Sequence, residues 1–169
     1  MAIKYSDGSS SADGRLIQVA RGFISGDNQS TQVNAPNAWK LNQSNGGAEI
    51  CQVTFTPKSA TSKLLIIATG LWYAITGTES HAMEAEVRIY DDTSNTALGS
   101  VKKTGYSHTG GHNRDSGDWT LTALVEADHN SNGTNARVYN TWYWFDGNQN
   151  FYYGKQGDSI TVYEIAASS

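Results

Sequence analysis

Cysteine is nearly absent from this chain, with one in 169 residues, so no disulfide framework can hold the fold and its core must do so. Charge is scarce as well, 17% against the roughly 25% usual for soluble domains, and the twelve basic and sixteen acidic residues leave a net charge of -4. Without a basic field, neither nucleic acid nor an anionic membrane surface is an expected partner. No apolar run reaches membrane-spanning length, and Met1–Gly8 lacks the apolar stretch of a signal peptide. Synthesis and assembly in a cytoplasm are expected. Proline occurs twice, and helical periodicity is hard to find anywhere.

What remains is alternation with period two, which is the signature of half-buried strands. Strands are expected at 15–21, 50–56, 63–73, 83–90, 119–125, 137–145 and 158–165, separated by turns rich in Gly, Ser, Asn and Asp. Met83, Ala85, Val87 and Ile89 alternate with Glu84, Glu86 and Arg88, and Asp91–Asn95 then turns the chain into a hairpin. Lys63–Tyr73 is almost continuously apolar, as in a central strand covered at least in part on both faces. Cys51 shares an apolar face with Val53 and Phe55, which makes it a buried thiol and not a reactive one. About eight such strands predict an all-β fold, a single jelly-roll-like sandwich of two sheets over 15–169, preceded by a polar N-terminal arm at 1–14.

Chemistry is thinly represented. His108 and His112 lie in a Gly-rich segment, 104–118, expected as a long loop, with Tyr106, Arg114 and Asp115 as further ligand-contact candidates. Two histidines four apart make a zinc pair only on a helix, and this segment is not one, so no metal site is assigned and the loop is read as solvated. His81 and His129 lie in polar turns and read as surface residues. Asp91–Asp92 and Asp128–Gly133 have oxygen ligands without the order of a calcium loop, and turn formation accounts for them. Glu84, Glu86, Glu126 and Glu164 are expected on exposed strand faces. With no nucleophile elbow, phosphate loop or dinucleotide motif, no catalytic residue, cofactor or enzymatic activity is expected.

Aromatic residues crowd the last third of the chain. Alternation puts Trp142 and Trp144 on one face of a strand and Tyr139, Tyr143 and Phe145 on the other. Only one face can belong to the domain's own core. The five are candidates for subunit contacts, with a carbohydrate platform and ordinary core packing as the alternatives.

Three blocks in the chain carry a resemblance: Gly14-Arg15-Leu16-Ile17-Gln18-Val19, Val53–Ile66 with Thr56-Pro57-Lys58-Ser59 and Ser62-Lys63-Leu64-Leu65 within it, and Asp158–Ala167 with Ser159-Ile160-Thr161-Val162-Tyr163-Glu164-Ile165. Together they resemble a widespread group of bacteriophage virion proteins, found as tail-fibre or head-decoration modules, although Arg15 stands where that group has Lys and 75–150 follows no shared pattern. The resemblance implies a jelly-roll homotrimer packed around one axis, made in the host bacterial cytoplasm and carried on the virion surface. Its partners would be the major capsid protein or another virion protein. A start at Met1 without a repetitive shaft favours a capsid decoration (cement) protein, with arm residues Ile3, Lys4, Tyr5, Ser6 and Asp7 as capsid contacts. The alternative is a tail-fibre tip that binds host-surface glycan.

Overall fold

The structure is a computed structural model that describes residues 15–25, 31–33, 39–41, 50–75, 82–106, 114–146, 150–153 and 157–167. Among these residues the chain forms eleven strands: β1 (Leu16–Phe23), β2 (Thr31–Val33), β3 (Lys40–Leu41), β4 (Gln52–Phe55), β5 (Lys63–Ile75), β6 (Ala82–Asp91), β7 (Thr96–Tyr106), β8 (Arg114–Glu126), β9 (Arg137–Asp146), β10 (Asn150–Tyr153) and β11 (Ser159–Ile165). No helix among them is long and apolar enough to cross a membrane.

Strand pairing defines the topology. The first sheet runs β1–β11–β5–β8, with β10 continuing beyond β11 along β5 and β2 paired to β10. The second runs β9–β6–β7, with β4 and β3 sharing the far edge of β9. The antiparallel pairs β1·β11, β4·β9, β5·β8 and β6·β7 nest inside one another along the chain and fall alternately in the first and second sheet. A long antiparallel ribbon wrapped in that way is a jelly roll, as the strand pattern predicted.

Alternation then decides what lies between the sheets. Rows such as Val162–Ile66–Ala123 and Ile160–Ala68–Leu121 cross the first sheet's inner face, and Val53–Tyr139 and Val87–Tyr143 cross the second's. All ten side chains are buried. Burying a Val, Leu or Ile side chain stabilises by about 1.5–3 kcal/mol, so this layer supplies the main driving force. At one side of the sandwich β1 passes directly over β4, and a Cβ on Gly22 would lie 1.6 Å from the Gln52 carbonyl oxygen. Only glycine permits that approach.

The hairpin at 91–96 forms as expected, with Asp91 Oδ1 accepting from the Thr93 and Ser94 amides at 2.9 and 3.2 Å. The expected long loop at 104–118 does not. β7 continues to Tyr106 and β8 starts at Arg114, which leaves only 107–113 between strands. Residues 114–118 lack apolar alternation, yet they pair in register with Leu71–Ile75 of β5, whose backbone supplies the order that their own side chains do not.

Candidate interaction faces and interior polar sites

The three sequence blocks meet at one carboxylate. Glu164 follows Ile160 and Val162 on the inner face of β11 and is fully buried, not on the exposed face that its charge implied. Its Oε1 accepts from the Ser62 hydroxyl at 2.5 Å and the Ser59 amide at 3.0 Å, and the Lys58 amide lies 2.9 Å from both oxygens. Gln18 Nε2, from the first block, donates to Oε2 at 2.6 Å and also to the Thr56 carbonyl at 2.7 Å. Burial pushes this carboxyl up, but the donors from Ser62, Lys58, Ser59 and Gln18 outweigh it and hold it below its ordinary value of 4.5. The group is a clasp that ties β1, the 57–62 turn and β11 together. Its oxygens are too heavily engaged to act as an acid or base.

A second polar group lies between the two sheets. Trp119 Nε1 donates to the Tyr143 hydroxyl at 2.7 Å with the rings edge to face, and Asp158 Oδ1 accepts from the Leu71 amide at 2.9 Å. The Tyr143 hydroxyl lies 3.4 Å from Asp158 Oδ2. Burial, followed by the Asp158 charge, raises the Tyr143 hydroxyl well above its ordinary range. Nearby Cys51 is buried and its thiol is pushed up to about 12, chiefly by burial. A hollow of about 260 Å³ opens beside Gly70, Asp118, Trp119 and Asp158, but the Asp158 carboxylate is itself buried and bonded inward.

His129 is not the free surface residue that its polar turn implied. Nε2 lies 2.9 Å from Oδ2 of buried Asp91, and Nδ1 lies 2.7 Å from the Glu126 carbonyl oxygen. Arg137, fully buried, sets Nη1 2.5 Å from Nδ1 of the same ring and donates through Nη2 to the carbonyls of Ala127 and Gly133. An aspartate–histidine pair has the form of an acid–base dyad, but here both partners are spent on holding the 126–137 connection against the 91–96 hairpin. The partner lies 38 residues away in sequence, and no local motif could have revealed it. Among the described residues no group of three or more His, Cys, Asp or Glu could hold a metal ion.

The aromatic strand resolves into two faces. Tyr139, Tyr143 and Phe145 are buried in the chain's own core, which corrects their assignment to subunit contacts, because the inner face of β9 is already filled by the opposing sheet. Trp142 and Trp144 point outward and are half-buried. On that outer face the Arg88 guanidinium lies 3.8 Å from the Trp39 ring centre, 4.4 Å from Tyr90 and 5.8 Å from Trp142. Burial lowers the Arg88 pKa from its usual value, against the raising influence of Tyr90 and Glu86. Rings that a sugar would stack on face this cation instead.

Of the remaining candidates, Ile3, Lys4, Tyr5, Ser6, Asp7, His108 and His112 lie outside the described residues. Tyr106, Arg114 and Asp115 belong to strands β7 and β8, and their side chains also lie outside the description. The exposed large hydrophobics Leu16, Val19, Phe23, Leu71 and Leu124 were not anticipated as a group. They come from three strands, and only the register joins them.

The fold and its polar sites therefore define a jelly-roll sandwich whose described buried polar groups serve the architecture. No family model matches the chain, and no curated protein sequence does. Among solved structures, a chain of the infectious bursal disease virus Gx strain is similar over 100% of this chain and 43% of its own length, with 11% identity and a TM-score of 0.41. A chain of the Gt strain is similar over 88% of this chain and 30% of its own, with 10% identity and a TM-score of 0.30. This chain spans less than half the length of either.

Proposed function

We propose that this chain is a structural protein of a bacteriophage particle, a homotrimeric decoration or cement protein that attaches to the head shell and stabilises it. The observation that carries this reading is the Glu164 clasp. The three blocks that resemble phage virion proteins are far apart in sequence, yet Gln18, Ser59, Ser62 and Glu164 form one bonded unit. Unrelated chance matches would have no reason to converge on one carboxylate. In this reading residues 1–14 form an arm over neighbouring shell subunits, with Ile3–Asp7 in contact with the major capsid protein or another virion protein. Binding that occurs only in the assembled state stabilises that state by mass action. The protein is made in the bacterial cytoplasm and ends on the virion surface.

Trp144, which points outward and is half-buried, favours a second reading, a tail-fibre tip that binds host-surface glycan. Cryo-electron microscopy of the intact particle separates the two. Density at regular positions on the head lattice, with 1–14 against the shell, supports decoration, and density confined to the distal tail supports the adhesin. Deleting residues 2–13 is expected to leave a folded trimer that no longer attaches.

A further inference from the structure

All five exposed large hydrophobics among the described residues lie on one surface, the outer face of β1–β11–β5–β8. Register makes them neighbours. Val19 pairs with Tyr163, Tyr163 with Leu65 and Leu65 with Leu124, so an apolar row crosses all four strands. Leu16 and Ile165 pair beside it on one side, and Ile67 follows Leu65 on the other. Val19 and Leu124 are 53% and 60% exposed, where a row of this kind inside a core would be covered. The near-continuous apolar run of β5 points the same way. Leu64, Ile66 and Ala68 fill the core, whereas Leu65 and Ile67 face away from the second sheet, and a strand apolar on both faces is ordinarily covered on both.

We infer that this outer face is the surface through which copies of the chain associate, an inference that rests on the homotrimer reading above and names its interface. Four strands about 4.8 Å apart, followed over the nine residues from Lys63 to Leu71 at about 3.4 Å each, give a face of roughly 500 Å² per copy. Three such faces closed about one axis remove about 1,500 Å² from water in all, comparable to the total of a standard-size interface. Of the charges on this face, Arg21 is on the β1 edge and Asp118 on the β8 edge, while Glu126 of β8 is already paired with Lys63 of β5 at 3.6 Å. A cyclic arrangement brings the β1 edge of each copy to the β8 edge of the next, placing cation against anion around a shared apolar centre. Head-to-tail closure of this kind fits three copies about one axis.

The test is solution mass by light scattering over a concentration series for the full chain and three variants, with circular dichroism as the check on folding. Val19→Glu and Leu124→Glu place a charge in the apolar row without touching the core, and Thr54→Glu alters an exposed position on the other sheet. The expected result is a trimer for the parent chain and for Thr54→Glu, and self-association weakened at least ~100-fold for folded Val19→Glu and Leu124→Glu. A monomeric parent chain, or Glu variants that keep the parent mass, would overturn the inference. Particle attachment separates this from the virion reading: a chain that trimerises through this face but is absent from particles refutes only the latter.

Discussion

Gln18 and Glu164 stand 146 residues apart in sequence and 2.6 Å apart in space, joined side chain to side chain at the point where β1, β11 and the 57–62 turn converge. A carboxylate with this many donors contributes through charge-assisted bonds, each worth about 1.5–3 kcal/mol. Glu164→Gln keeps the shape but turns an amide NH₂ toward the N–H groups of Lys58, Ser59 or Gln18, which can only donate. The expected loss is about 2–4 kcal/mol, seen as a lower urea midpoint with an unchanged slope. An unaltered midpoint would show that the clasp holds nothing.

The same carboxylate sets an acid limit. Its folded pKa lies below the ordinary 4.5, so near and below that value the folded state binds fewer protons than the unfolded one. The stability it supplies is complete above the unfolded value and is lost as the pH falls through the folded one. The gap between the parent chain and Glu164→Gln is therefore expected to be widest near neutrality and to narrow below pH 4.5. Urea melts across an acid series check this, and a gap independent of pH would contradict it.

Three glycines are expected to rank by what a methyl group would strike. Gly22→Ala meets the Gln52 carbonyl at 1.6 Å, backbone against backbone, and is expected to prevent closure of the sandwich. Gly70→Ala meets the Trp119 ring at 2.4 Å and Asp158 Oδ1 at 2.6 Å, buried side chains that can give way only by straining their bonds to Tyr143 and Leu71, at a cost of about 3 kcal/mol. Gly99→Ala has nothing nearer than 3.8 Å and is expected to stay within about 0.5 kcal/mol of the parent. Thermal melts of the three give the order directly.

Cys51 is expected to resist thiol reagents in the native protein. The thiol is buried and its pKa of about 12 leaves almost no thiolate at neutral pH. Labelling followed by mass spectrometry should report modification only as urea unfolds the chain, and rapid labelling without denaturant would count against the structure at this position.

Much of this fold was legible where a strand carries its own pattern. β6 alternates cleanly, and Ala85, Val87 and Ile89 are buried as its spacing required. β8 was legible only from Trp119 onward, because Arg114–Asp118 takes its order from β5. β2, β3 and β10 are two to four residues long, too short for any period to show. The buried polar groups were hidden for a different reason. Spacing alone put Glu164 inward with Val162, but charge argued the reverse, and the donors that settle the matter lie in other blocks. His129 likewise owes its setting to Asp91 and Arg137, which no local window contains.

The placement of β11 governs when this protein can fold. The last strand sits between β1 and β5, so the first sheet stays split until residues 159–165 are available. Pairing Leu16 with Ile165 closes nearly the whole described chain into one loop, and contacts of such long range form slowly. Folding of this domain consequently waits for β11: a chain lacking it carries two unpaired strand edges and has no Glu164 to lock the turn at 57–62.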